Sequence, residues 1–223
     1  MTLKLFISAI LKFLLGAVLV GALIFLPAGS LNYYYGWLLM GILFIPMFLA
    51  GIVMMVKNPS LLSSRLNAKE KLKEQSMVVK LSGLMFICGF IVAGLNFRFK
   101  WYSLPLPIVI IGCVLFLIAY ILYAIVLKQN TYLSRTIKVV DNQKVIDTGL
   151  YGIVRHPMYF STVILFLSMP LVLGSVFSLI IFLLYPFIIA FRIKSEEKFL
   201  LKELNGYEEY TKKVKYRLIP FIW

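Results

Sequence analysis

Histidine and cysteine are nearly absent from this chain of 223 residues, which holds one histidine, His156, and two cysteines, Cys88 and Cys113. The cysteines lie in separate apolar runs. They supply neither a disulfide framework nor metal-ligand spacing, and read as small core hydrophobes. A single histidine beside them argues against a zinc site built by the protein. Acid is scarce too: 9 Asp+Glu stand against 23 Lys+Arg, and charged residues make up only 14% of the chain. No GxGxxG, Walker A, HExxH or GxSxG pattern is placed to work, so a Rossmann-type nucleotide site has no support. There is no internal repeat and no low-complexity tract.

What the chain has in quantity is apolar surface. It is 61% hydrophobic, more than a soluble domain of this length can hide, so lipid must act as solvent for most of it. Backbone groups in a bilayer must be satisfied internally. Without alternating segments of barrel type, helices are the remaining solution, and the fold class is an all-α polytopic membrane protein. The formal net charge of +14 lies in the loops between apolar runs. Membrane topology and anionic headgroups explain it there, without a nucleic-acid partner.

In chain order, residues 5–26 form a first span. That run exceeds a usual signal-peptide core and further spans follow it, so it is kept as a membrane helix. Tyr33, Tyr34, Tyr35 and Trp37 form an aromatic belt at the head of a second span reaching Val56. Residues 57–76 are polar, with Leu61, Leu62, Arg65, Leu66, Lys69, Leu72 and Lys73 spaced for a short interfacial helix, a solvated loop being the alternative. A third span covers 78–97, and Pro105 and Pro107 open a fourth that ends at Leu127. A second polar loop runs over 128–155. Residues 160–192 are then apolar for 33 residues, roughly 50 Å of helix and too long for one span. Pro170, Gly174 and Ser175 break this run into a helical hairpin whose first arm is short or tilted. The tail carries an apolar stripe of Phe199, Leu200, Leu204, Tyr207 and Tyr210, which predicts a helix along the membrane surface.

These segments make about six spans: a four-helix frame over 1–127 and a loop, hairpin and tail over 128–223, integrated as one domain. Six spans place both polar loops, the tail and the N-terminus on one side. Only Arg98 and Lys100 remain among the short loops opposite, so the basic side is expected to be cytoplasmic.

The chemistry concentrates in Gly149-Leu150-Tyr151-Gly152-Ile153-Val154-Arg155-His156-Pro157-Met158-Tyr159 and, one hairpin later, in Arg192, Glu196 and Glu197. Pro157 suits the first turn of a helix, which puts His156 beside a helix N-terminus, a favourable place for a ligand carboxylate. On the residues alone, Arg155, His156 and Tyr159 could equally anchor a helix at the interface. Arg192 and Glu196 share a helix face four residues apart, and the hairpin returns that face toward His156 and Tyr159. Glu203, Glu208 and Glu209 read as ordinary solvated carboxylates.

From about Thr131 to Trp223 the sequence resembles the isoprenylcysteine carboxyl methyltransferase and phospholipid methyltransferase superfamily of integral membrane enzymes. The resemblance rests on the Tyr151–Tyr159 motif, Arg192 with Glu196-Glu197, Gly206-Tyr207-Glu208-Glu209-Tyr210 and the ending Leu218-Ile219-Pro220-Phe221-Ile222-Trp223. It implies S-adenosyl-L-methionine as cofactor, held at the cytoplasmic face. By motif position it implies cofactor contacts from Gln143, Lys144, Val145, Ile146, Tyr151, His156, Pro157, Met158, Tyr159 and Glu196. Arg192 matches the arginine associated with the methyl acceptor. The chain departs from many relatives at Val140, where they place a glutamine.

The implied acceptor is lipophilic: a prenylated cysteine carboxylate, a phospholipid amine or another lipid-soluble small molecule, with membrane lipids as surroundings. An ionised carboxylate needs no general base, whereas an amine would need one, for which His156 is the candidate. Two other readings compete. Sterol reductases share a similar C-terminal frame but use a nicotinamide cofactor, and a non-enzymatic carrier would bind no cofactor.

Overall fold

A computed structural model describes residues 3–66, 73–133, 139–140 and 142–223. Among the described residues the regular structure is helical apart from an isolated bridge between Ser103 and Ser175. Four long helices come first: α1 (Leu3–Ala28), α2 (Tyr34–Lys57), α4 (Lys73–Arg98) and α5 (Leu106–Gln129), with the short α3 (Pro59–Leu66) between the second and third. At 1.5 Å per residue each long helix extends about 36–39 Å, enough to cross a hydrocarbon core of about 30 Å. Their outer faces expose apolar side chains such as Leu15, Val18, Ile45 and Ile121, as lipid-facing helices should.

The hairpin is present and asymmetric. Its first arm, α6 (Pro157–Val172), has 16 residues, about 24 Å of helix and short of a full crossing. Its second arm comes in two pieces, α7 (Val176–Phe182) and α8 (Tyr185–Glu203). Leu183 and Leu184 interrupt it just before Pro186, which lacks the N–H that a continuous helix would use. Gly174 turns the hairpin at φ +66°, a left-handed conformation that favours glycine. The Ser175 hydroxyl then caps α7 by accepting from the Ser178 amide at 3.3 Å. Among the described residues five helical stretches are long and apolar enough to cross a membrane, the fifth being Val176–Glu203, and α6 is a shorter apolar helix.

Two ends of the bundle are identified by contacts between segments distant in sequence. At one end the Tyr33 hydroxyl donates to the Leu173 carbonyl at 2.5 Å, and the Leu104 amide donates to the Gly174 carbonyl at 2.9 Å. At the other, Lys12 Nζ reaches the Leu66 carbonyl at 2.8 Å and Arg65 reaches Tyr123 at 3.2 Å. The second end gathers α3, the start of α4, the end of α5, the start of α6 and the end of α8. This is the shared side that the basic loops required.

Between these ends, Phe116, Phe182, Ile24 and Leu39 are fully enclosed in a continuous core. Among the described residues the expected short helix is α3, where Asn58 Oδ1 accepts from the Leu61 amide at 3.1 Å and Leu61 and Leu62 are buried. The expected helical positions Lys69 and Leu72 lie outside the described residues, as do 134–138 and Asp141 in the second polar loop.

The tail differs from the single surface helix expected. Gly206 adopts φ +81°, which ends the α8 direction and starts a separate α9 (Tyr207–Lys213). The apolar stripe of Leu204, Tyr207 and Tyr210 is joined by Val214 and buried. It packs inward on Val139, Val145 and Leu200. Hydrophobic spacing located the stripe correctly, but spacing alone cannot distinguish a lipid surface from a neighbouring loop.

Candidate active site

The loop between α5 and α6 is fastened before it reaches the site. Gln129 Oε1 accepts from the Leu150 amide at 3.1 Å, and a 3₁₀ turn over Gly149–Gly152 follows. The Arg155 and His156 amides then donate to the carbonyls of Tyr216 and Arg217, each at 2.9 Å. The loop and tail are thereby bound by backbone hydrogen bonds directly before α6 begins.

One carboxylate holds this junction together. Glu197 is buried; its Oε1 accepts from Arg155 Nε at 2.6 Å and lies 3.3 Å from His156 Nε2, while its Oε2 accepts from Arg217 Nε at 2.7 Å. Arg155 also donates to the Val214 and Lys215 carbonyls, at 2.8 and 3.2 Å. The buried cation and anion therefore satisfy each other and most of their remaining hydrogen-bonding capacity.

Next to this clamp, Tyr159 links the two charged groups expected from the sequence. Its hydroxyl donates to Glu196 Oε2 and accepts from Arg192 Nε at 2.8 Å. Arg192 and Glu196 are thus connected through a phenol on the other arm of the hairpin. This bridge ties the start of α6 to α8.

These groups surround a cavity of about 110 Å3, lined by His156 just before α6, by Met158 and Tyr159 on α6, by Arg192 and Glu196 on α8, and from the loop by residues 143–146 and Tyr151. All the residues singled out as cofactor or acceptor contacts line it except Pro157. That proline is buried at the first position of α6, where its carbonyl accepts from Ser161 Oγ at 2.9 Å. Its place in the motif reflects the helix start. His156 also differs from its expected setting: Nε2 faces a protein carboxylate, and the Tyr159 and Phe160 amides turn back to the His156 carbonyl at 3.0 and 3.2 Å. The first turn of α6 has fewer free donors for a ligand than a bare helix end.

Several lining residues were missed as site residues. Arg155, Tyr207 and Tyr210 belong to the cavity wall. Glu197 was visible beside Glu196, but nothing in the sequence distinguished the residue that clamps from the residue that faces the cavity. Tyr207 and Tyr210 were visible as apolar-stripe residues and assigned to lipid. Burial pushes the phenols of Tyr151, Tyr207 and Tyr210 well above the usual tyrosine range, so each remains a neutral hydrogen-bonding group. Tyr210 donates to the Tyr151 carbonyl at 2.7 Å.

The cavity offers the polar features that S-adenosyl-L-methionine would require. The Tyr207 hydroxyl is buried without a hydrogen-bond partner. Residues 144–146 line the cavity outside any helix, and their amides make no backbone hydrogen bond among the described residues. Gln143 is partly committed, since its Oε1 accepts from the Val140 amide at 3.1 Å. Free peptide groups, an unmet phenol and the Glu196 carboxylate suit a ligand with an ammonium, a ribose and a base. The residues fit the group. No cluster of metal-ligating side chains occurs among the described residues.

Comparison with known proteins points to the same part of the chain. Residues 107–206 match the phospholipid methyltransferase family, a segment that takes in α5 as well as the loop and hairpin. The chain is also similar to the Delta(14)-sterol reductase of Mus musculus, with 28% identity over 134 residues, 54% of this chain and 32% of that protein. It therefore spans about a third of the length of that curated relative. The matched segment contains the fastened loop, both arms of the hairpin and the Arg192–Tyr159–Glu196 bridge, so over residues 107–206 the chain is similar to the phospholipid methyltransferases.

Proposed function

We propose that this chain is an S-adenosyl-L-methionine-dependent methyltransferase acting on a lipophilic acceptor, a carboxylate as in isoprenylcysteine carboxyl methylation. The observation that carries this reading is the Arg192–Tyr159–Glu196 bridge. It puts a cation and a carboxylate on opposite sides of one phenol, in the wall of one cavity. Glu196, Tyr151, Tyr207 and the 143–146 strip would hold the cofactor, and Arg192 would hold the acceptor carboxylate.

The bound cofactor supplies a methyl group already activated on a sulfonium. The residues of this chain then have three tasks. Arg192 orients an anionic oxygen with its planar fork. Tyr159 fixes Arg192 relative to Glu196, so that the acceptor and cofactor sides keep one geometry. The apolar walls of α6 and α8 let a lipid tail remain in the bilayer while its headgroup enters the cavity. A carboxylate acceptor is nucleophilic without a base. That agrees with His156 being buried with Nε2 toward Glu197, a poor position for taking a proton from an amine.

The cytoplasmic orientation of the cavity belongs to the same proposal, motivated by the basic loops that share its end of the bundle. The second reading is a nicotinamide-dependent reductase, favoured by the similarity to a sterol reductase. Titration of the purified protein with S-adenosylhomocysteine and with NADPH separates the two readings. Saturable binding of S-adenosylhomocysteine alone is expected; binding of NADPH alone overturns the proposal, and binding of neither leaves a carrier. Membranes incubated with methyl-labelled S-adenosyl-L-methionine should then yield a base-labile labelled lipid or prenylated species, as a methyl ester requires, whereas base-stable label would indicate an amine acceptor.

A further inference from the structure

Arg65 lies outside the segment shared with the methyltransferase family and ends α3. Its guanidinium points into the site end of the bundle. Nη1 lies 3.2 Å from the Tyr123 hydroxyl, Nη1 and Nη2 each lie 3.9 Å from Met158 Sδ, and Cζ stands 5.7 Å from the Tyr123 ring centre. Nε is buried without a hydrogen-bond partner. No ion pair among the described residues includes Arg65. A phenol, a thioether and a ring face are weak acceptors for a permanent cation.

This arrangement is held in place and is not a loose surface side chain. Asn58 caps the start of α3, and Lys12 fixes its end through the Leu66 carbonyl. Met158 touches Arg65 and also lines the cavity, so it is a wall shared by the guanidinium and the proposed methyl-transfer site. Close by, α5 exposes Ile121 and Ile125 on its outer face. A half-buried arginine with an unmet donor needs an anion, and apolar helix surface beside it suits a hydrocarbon tail.

We propose that Arg65 is the oxyanion site for an amphiphile: it binds the carboxylate or phosphate of a lipid-tailed ligand lodged between α3 and the neighbouring ends of α5 and α6, with the tail in the bilayer. Its planar fork matches either headgroup. In the methyl-transfer reading the acceptor carboxylate is held by Arg192, and binding of this amphiphile at Arg65 does not depend on that reading.

The test uses the full chain in phosphatidylcholine nanodiscs doped with oleate, with dioleoylphosphatidic acid, or with neither, and native mass spectrometry to count retained lipid. Wild-type protein should retain at least one anionic probe above the phosphatidylcholine background, and which one distinguishes a carboxylate from a phosphate site. Arg65→Gln should lower that retention about tenfold or more, the scale of a lost charge-assisted hydrogen bond, with S-adenosylhomocysteine affinity unchanged. Inorganic phosphate should not displace the lipid. Retention of neither probe by wild type, undiminished retention in Arg65→Gln, or displacement by inorganic phosphate overturns the proposal. If Arg65→Gln does not fold, Arg65→Lys decides: it should weaken the preference for the anionic probe over phosphatidylcholine, and an unchanged preference overturns the site. Failure of wild type to bind S-adenosylhomocysteine, with the anion still retained, would count against the methyl-transfer reading alone.

Discussion

Arg155 and Glu197 form a buried ion pair at 2.6 Å, joining the start of the hairpin to its far end across 42 positions of sequence. Arg155 also lines the cavity, with Glu197 behind it. Because Glu197 also accepts from Arg217 at 2.7 Å, one side chain holds together the loop, α8 and the tail. The adjacent Glu196 faces the cavity instead and contacts Tyr159. Two consecutive glutamates on one helix thus point about 100° apart, one toward the structural clamp and the other toward the ligand.

Glu197→Gln should therefore be a stability variant. It leaves two guanidinium groups short of their counter-charge, one of them buried, a change that costs on the order of 3–5 kcal/mol when a buried pair is broken. Thermal unfolding in detergent should show a lowered midpoint. Limited proteolysis should cut the tail near Val214 sooner than in wild type. A stable variant with a protected tail would show that the clamp is not what docks it.

Glu196→Gln should instead spare the fold and weaken cofactor binding, by about 1.5–3 kcal/mol for loss of a charge-assisted hydrogen bond. Glu208→Gln is the control. Glu208 is exposed and pairs with Lys212, at 2.9 Å one helical turn away, a contact worth little at a surface. Calorimetric titration with S-adenosylhomocysteine distinguishes them, and equal affinities would remove Glu196 from the cofactor set.

The helical membrane fold was legible because apolar run length and proline position act locally: Pro105 and Pro107 marked the start of α5, and Gly174 marked the hairpin turn. Arg192, Glu196 and the Tyr151–Tyr159 motif were legible because the hairpin fixes which ends meet. Glu197, Arg217 and Tyr207 were not. Their roles depend on how the tail folds back after Gly206, and a stripe of apolar residues gives no sign of whether it will meet lipid or protein. Arg65 was legible only as an interfacial residue, since its contacts with Tyr123 and Met158 lie 58 and 93 positions away in sequence.

Topology gives a third prediction. Lys213 Nζ and Asp147 Oδ2 meet at 2.6 Å, so the second polar loop and the tail share one face of the membrane. In a background lacking Cys88 and Cys113, cysteines placed at Lys144 and at Lys213 should both react with an impermeant reagent from the cytoplasmic side. Labelling of both from the opposite side would invert the orientation proposed from the basic loops. Labelling of the two from different sides would break the hairpin arrangement and the cavity with it.

The last prediction separates acceptor binding from cofactor binding. Arg192 is buried and its Nε is engaged by the Tyr159 hydroxyl at 2.8 Å. A lysine at this position keeps a positive charge but not the planar fork that can hold Tyr159 and a carboxylate together. Arg192→Lys should lower methyl transfer to the labelled acceptor by about tenfold or more, the effect of losing a charged hydrogen bond of roughly 1.5–3 kcal/mol. S-adenosylhomocysteine affinity should change much less, because the carboxylate of Glu196 and the 143–146 strip remain. Tyr159→Phe removes the bridge itself and should affect both measurements, since Arg192 and Glu196 would then lose their common partner. If Arg192→Lys abolishes cofactor binding while remaining folded, the arginine belongs to the cofactor side of the cavity. Full activity in that variant would instead mean that no carboxylate is held by this guanidinium, and an amine acceptor would become the better reading.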